Sequence, residues 1–146
     1  MGASGWSYVV PFQGDPATAL AALREQALVD GDLFWDDDDD YLGPKPTSLA
    51  ELDALRETEA FWEVGAHSIL DMDRIIGAAD EDHDGTVRQL PEAEAREVFG
   101  TATPTREQFL QAEAAIPDIR RWSGRYQLLY AGDRPSEIAF WGFSGD

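Results

Sequence analysis

The spacing of apolar positions along the chain changes several times, and each change predicts an element. Trp6-Ser7-Tyr8-Val9-Val10-Pro11-Phe12 has the aromatic and β-branched content of a strand, which Pro11 ends or confines to a sheet edge. Asp15 then reads as an N-cap with Pro16 at the first helical position. The helix predicted from there to about Val29 carries Leu20, Leu23, Ala27 and Leu28 on one face and is stopped by Gly31. Ser48-Leu49-Ala50-Glu51 has the form of a capping box, so a second helix is expected to reach about Trp62. Leu49, Leu52 and Leu55 should face inward along it, with Ala60-Phe61-Trp62 as an apolar closing turn.

Ser68-Ile69-Leu70-Asp71-Met72 and Gly85-Thr86-Val87-Arg88-Gln89-Leu90 read as two short strands. A short helix from Pro91 to Phe99 is stopped by Gly100, and Thr103-Pro104-Thr105 opens another that runs to about Ile116, where Pro117 ends it. The C-terminal pattern is a hairpin. Tyr126, Leu128 and Tyr130 alternate with Gln127 and Leu129, and after Gly132-Asp133-Arg134-Pro135 comes Ile138-Ala139-Phe140-Trp141-Gly142-Phe143. That second strand is apolar on both faces, the signature of a central strand covered by helices. The expectation is one α+β domain over 1–146: a mainly antiparallel sheet of about five strands, helices packed on it, the C-terminal hairpin central.

The pattern fails from Asp30 to Thr47. Phe34-Trp35 is followed by Asp36, Asp37, Asp38, Asp39 and Asp40, then by three prolines or glycines in Gly43-Pro44-Lys45-Pro46. Five adjacent carboxylates resist burial, so 30–47 is predicted to be an exposed acidic loop. Charge enlarges this picture. The chain holds 29 acids against 11 bases, a net charge of −18. Such a charge opposes binding to nucleic acid and to anionic membranes, and draws in basic proteins or cationic ligands. There is no cysteine, which removes disulfides, thiolate metal sites and cysteine nucleophiles together. The opening residues show no basic stretch followed by an apolar core, and no apolar run reaches the length of a membrane span; a cytoplasmic protein is expected.

Candidate chemistry is sparse. Asp80, Asp82, Asp84 and Gly85 match positions 1, 3, 5 and 6 of an EF-hand calcium loop, but position 12, which needs a bidentate glutamate, is Pro91. The half-match predicts a tight acidic turn between two strands with Asp84-Gly85 at its tip, and leaves calcium binding as an alternative; no other cofactor is indicated. His67 and His83 are the only histidines, so a three-histidine zinc site is excluded. No nucleophile elbow, phosphate loop or dinucleotide fingerprint occurs, and no catalytic residue is assigned. Asp71 and Asp73 are the carboxylates best placed for an apolar environment. An aromatic pocket of Trp6, Tyr8, Tyr126 and Trp141 beside Asp71 is the alternative ligand site.

Several stretches carry a resemblance to known sequences: Gly5-Trp6-Ser7-Tyr8, Pro11-Phe12-Gln13, Ser68 to Met72, Gly85-Thr86-Val87, Leu90-Pro91, Phe99-Gly100-Thr101, Pro104-Thr105-Arg106 and the ending Gly142-Phe143-Ser144-Gly145-Asp146. In these the chain resembles a family of small, uncharacterised bacterial proteins, mostly actinobacterial. The resemblance implies a single compact domain and brings no site residue with it. The expected function is therefore that of a non-enzymatic acidic protein of the immunity or antitoxin kind. It would recognise a basic protein through Phe34, Trp35 and Asp36 to Asp40. The alternative is a small-molecule-binding protein or enzyme of a secondary-metabolite pathway or its self-resistance.

Overall fold

In the computed structural model, which describes residues 4–35 and 43–145, five strands form one mixed sheet. They are β1 (Ser4–Pro11), β2 (Arg74–Ile76), β3 (Thr86–Gln89), β4 (Ser123–Ala131) and β5 (Arg134–Ser144), in the spatial order β1-β5-β4-β3-β2. The long pairings β1–β5 and β5–β4 are antiparallel, and the short ones β4–β3 and β3–β2 are parallel. The C-terminal hairpin β4–β5 thus lies inside the sheet, and β1 with its Pro11 lies at an edge. Among the described residues the helices are α1 (Pro16–Val29), α2 (Leu49–Arg56), α3 (Phe61–Val64), α4 (Glu92–Phe99) and α5 (Arg106–Ala112). No helix of the described residues is long and apolar enough to cross a membrane.

The doubly apolar β5 has a simple cause. Ile138 and Phe140 pack with Trp6, Val87 and Tyr126 against α1, through Ala19, Leu20, Leu23 and Ala27. Ala139 and Trp141 point the other way and pack with Leu129 against Ala95 and Phe99 of α4 and Phe109 of α5. Alternation along the strand therefore feeds two cores. Phe61, Phe109 and Phe140 are fully buried, each contributing about 1.5–3 kcal/mol by removal from water. Between the two central strands Gly124 sits opposite Gly142, and the Trp6 indole lies over the pair. A Cβ on Gly142 would stand 2.6 Å from Trp6 Cζ2, so this place in the sheet admits only glycine.

Local signals explain the helix starts. Asp15 Oδ1 accepts from Ala17 N and Thr18 N at the head of α1, Ser48 Oγ accepts from Glu51 N at α2, and Thr105 and Gln108 close a full capping box at α5. Three expectations need correction. The single helix predicted to Trp62 is two, because the chain turns at Glu57 to Ala60, where Thr58 Oγ1 bonds the Leu55 carbonyl and accepts from Phe61 N. Ser68 to Met72 is not a strand: Ser68 Oγ accepts from Leu70 N and starts a 3-10 turn, Ile69–Asp71. The strand follows it, as β2. Because β2 runs parallel to β3, the acidic turn does not join a hairpin, although Gly85 does take a positive φ of 90°.

Candidate functional site

The most constrained corner of the molecule lies where the 65–71 turn meets the end of β5 and the chain leaving α1. His67 and Trp122 are the two non-glycine residues with positive φ among those described, at 58° and 64°. Such backbone persists only where surrounding contacts over-determine it. Around His67 those contacts converge on Asp71, which is fully buried. Its carboxylate accepts from Ala66 N at 2.6 Å, from His67 N at 3.2 Å and from the Ser144 hydroxyl. Arg56 Nη2 donates to the Asp71 carbonyl at 2.8 Å. Burial pushes the Asp71 carboxyl above its ordinary range, against the Ala66 and Ser144 hydrogen bonds and the His67 and Arg56 charges, which pull it down.

Trp122 is fixed from the other side. Its N–H donates to the Phe143 carbonyl at 2.9 Å and its carbonyl accepts from Gly85 N at 2.8 Å. Its ring meets Trp62 edge-to-face at 5.1 Å, and the Arg56 guanidinium lies 5.2 Å from the Trp62 ring. The Trp122 indole fits between Gly65 and Gly145, where added Cβ atoms would come within 2.4 and 2.2 Å of it. Gly65 also has a φ of 73°. Gly65→Ala is therefore expected to lower stability by about 2 kcal/mol, a clash plus a left-handed alanine, measured by urea unfolding. A wild-type midpoint would mean that the Trp122 ring is free to move aside.

This rigid turn carries Phe34. Phe34 N donates to the Ala66 carbonyl at 2.8 Å and its ring meets the His67 ring edge-on at 5.4 Å, yet Phe34 is 53% exposed. Trp35 is half-buried and its Nε1 donates to the Gly43 carbonyl at 3.2 Å. Asp36, Asp37, Asp38, Asp39 and Asp40 lie outside the described residues. Two of the sequence-derived groups, Phe34-Trp35 and Asp71, are thus brought together through Ala66 and His67.

The four aromatic residues of the pocket drawn from the sequence do not line one cleft. Trp6, Tyr8 and Tyr126 pack in the core on the α1 face of the sheet and Trp141 in the core on the opposite face; Trp6 and Trp141 meet at one small cleft that neither tyrosine lines. Tyr8 Oη donates to Asp32 Oδ2 at 2.5 Å, and burial together with that carboxylate pushes its phenol well above the ordinary value. Burial raises the Tyr126 phenol as well. None of the described clefts is lined by Tyr8 or Asp71.

The three aspartates of the half-motif are engaged separately. Asp82 receives both Arg125 Nη1 and Nη2, at 2.8 and 2.9 Å, and Arg88 Nε at 3.3 Å. Asp84 pairs with Arg120 at 3.0 Å, and Asp80 accepts from Gly77 N at 2.7 Å. Among the described residues no group of three His, Asp or Glu side chains is placed to share a metal ion. The sequence reading missed His67, Ser144 and Arg125 as site-forming residues. For Arg125 there was one signal: it is the one charged residue of the strand Ser123–Ala131.

No family model, curated protein or solved structure matches the chain.

Proposed function

We propose that the chain is a non-enzymatic acidic binding protein that recognises a basic protein, in the manner of an immunity protein or antitoxin. The observation that carries this reading is Phe34: an exposed aromatic ring pinned to a rigid turn, with only Trp35 between it and five consecutive aspartates. A pre-ordered aromatic anchor is how small interfaces concentrate affinity, and a run of like charge beside it in the sequence draws in an opposite one. The distribution of cations supports it. Arg24, Arg56, Arg88, Arg96, Arg106, Arg120 and Arg125 each stand 2.6–3.6 Å from a carboxylate of the same chain. Most of the positive charge is thus held internally, and the surplus acid faces outward to steer a cationic partner.

The test takes the basic product of a neighbouring gene and measures its affinity for the full chain by calorimetry. Phe34→Ala is expected to weaken binding about 30-fold, the cost of a hot-spot aromatic, with an unchanged melting temperature. Replacing Asp36 to Asp40 by serine should lower the association rate and flatten its salt dependence. Affinity indifferent to salt and to both substitutions would sink the reading.

A further inference from the structure

Residues 116–120 cross the α4–α5 side of the sheet without regular structure, and Trp141 lies beneath them. A cleft of about 550 Å³ opens between this segment, α4 and strands β3 to β5; a smaller one of about 320 Å³ lies on the segment's other side. Trp141 lines both. It is 6% exposed, and its indole N–H has no hydrogen-bond partner; the same holds for Trp6, which lines the smaller cleft. Two other indoles are satisfied, Trp62 Nε1 by the Arg56 carbonyl and Trp35 Nε1 by that of Gly43. Both N–H groups are sealed from solvent, so what Trp141 offers a ligand in the cleft is apolar ring surface and not a donor.

The charges around the larger cleft are ordered. At its inner side Arg125 and Arg88 share the single carboxylate of Asp82, so the protein surface there favours an electron-rich group. Glu94, Glu97 and Asp118 are exposed on its wall and make no ion pair among the described residues, and the −18 charge of the chain concentrates cations. Between these ends the lining is apolar, from Val98, Ile116, Ile119 and Trp141.

We propose that this cleft binds a small amphiphilic cation. Its aromatic or alkyl body lies against Val98, Ile119 and Trp141, a carbonyl-type acceptor lies toward Arg88 and Arg125, and its amine stays near Glu94, Glu97 and Asp118. The site is on the opposite face of the sheet from the Phe34 turn and is independent of it.

The test titrates the full chain by calorimetry with three probes. These are phenylalanine β-naphthylamide, a cation with an amide carbonyl; its N-acetyl derivative, which lacks the cation; and 8-anilinonaphthalene-1-sulfonate, an apolar anion. The cation is expected to saturate one site, the N-acetyl form to bind at least tenfold more weakly, and the anion more weakly still. Glu94→Gln with Glu97→Gln and Asp118→Asn, all at exposed positions, should remove the cation's advantage and leave the N-acetyl form unaffected. Trp141→Phe should weaken both naphthylamides about fivefold or more, and Phe34→Ala should change nothing. Absence of saturable binding of the cation overturns the proposal. So does equal affinity for all three probes, which marks only an adhesive apolar surface, or indifference of the cation to the triple substitution.

Discussion

Asp71→Ala is expected to cost the fold about 3–5 kcal/mol, from three buried donors losing their acceptor at once. The Ala66 and His67 amides and the Ser144 hydroxyl all end on this one carboxylate, which is fully buried. Each orphaned donor costs about 1–3 kcal/mol, and release of a desolvated carboxylate returns part of that sum. Asp71→Asn keeps one acceptor oxygen and the volume but turns an amide donor toward other donors, so about half the loss is expected. Urea unfolding measures both. The wild type adds a pH signature. Because the folded carboxyl is raised above its ordinary value of 3.8, the folded state holds an extra proton in the window above that value. This contribution is therefore greatest in acid and is lost as pH rises through the folded pKa; Asp71→Asn should abolish that slope. Losses under about 1 kcal/mol in both variants would mean that water replaces the carboxylate, and the turn would not be the rigid platform assigned to it.

Asp71 also shows where the sequence could be read and where it could not. Its apolar setting was legible, because Ile69, Leu70 and Met72 surround it and leave a carboxylate few ways to reach water. Its backbone was not: a five-residue stretch with three apolar residues fits a strand or a tight helical turn equally well, and Ser68, a cap residue, was the only local discriminator. The partner Ser144 is 73 positions away, and Arg125 is 43 from Asp82. Such pairs are created by the sheet order, which no local pattern encodes. Periodicity did give β5 and its central place, since a strand apolar on both faces must be covered on both. It could not give the direction of β2, three residues long and too short to carry a pattern. Splitting of the aromatic pocket has the same origin: Trp6 and Trp141 sit on different strands whose relative register decides which face each one meets.

The presentation of Phe34 depends on that same order. The ring stands out from the surface because its backbone is bound to Ala66, Ala66 and His67 are bound to Asp71, and Asp71 is bound to the last residues of β5. An interface anchor mounted on a buried network loses little freedom on binding, which keeps more of its contact energy as affinity. Asp71→Asn, where it remains folded, should accordingly weaken a partner that docks on Phe34 without touching any residue of the interface.

Arg125→Met carries the second large effect, about 2–4 kcal/mol at neutral pH, because it leaves Asp82 with one partner in a setting of little water. The Arg125 side chain is 6% exposed and that of Asp82 is 15%. Burial alone would push the Asp82 carboxyl up, but the hydrogen bonds and charge of Arg125, with those of Arg88, outweigh it and hold the group below the ordinary carboxylate range. A depressed acid contributes stability that is present above its unfolded pKa and is lost as pH falls through the folded pKa. The gap between wild type and Arg125→Met, from urea unfolding at a series of pH values, should be widest near neutrality and should narrow in acid, as pH falls below the ordinary aspartate value of 3.8 and Asp82 takes up its proton. Adding Asp82→Asn to Arg125→Met should restore part of the lost stability, since an unpaired buried charge is removed. Arg88→Met, which spares the two-pronged Arg125 contact, should cost less. A gap of constant size from neutral to strongly acid pH would assign the whole loss to packing of the arginine stem and would remove Asp82 from the account.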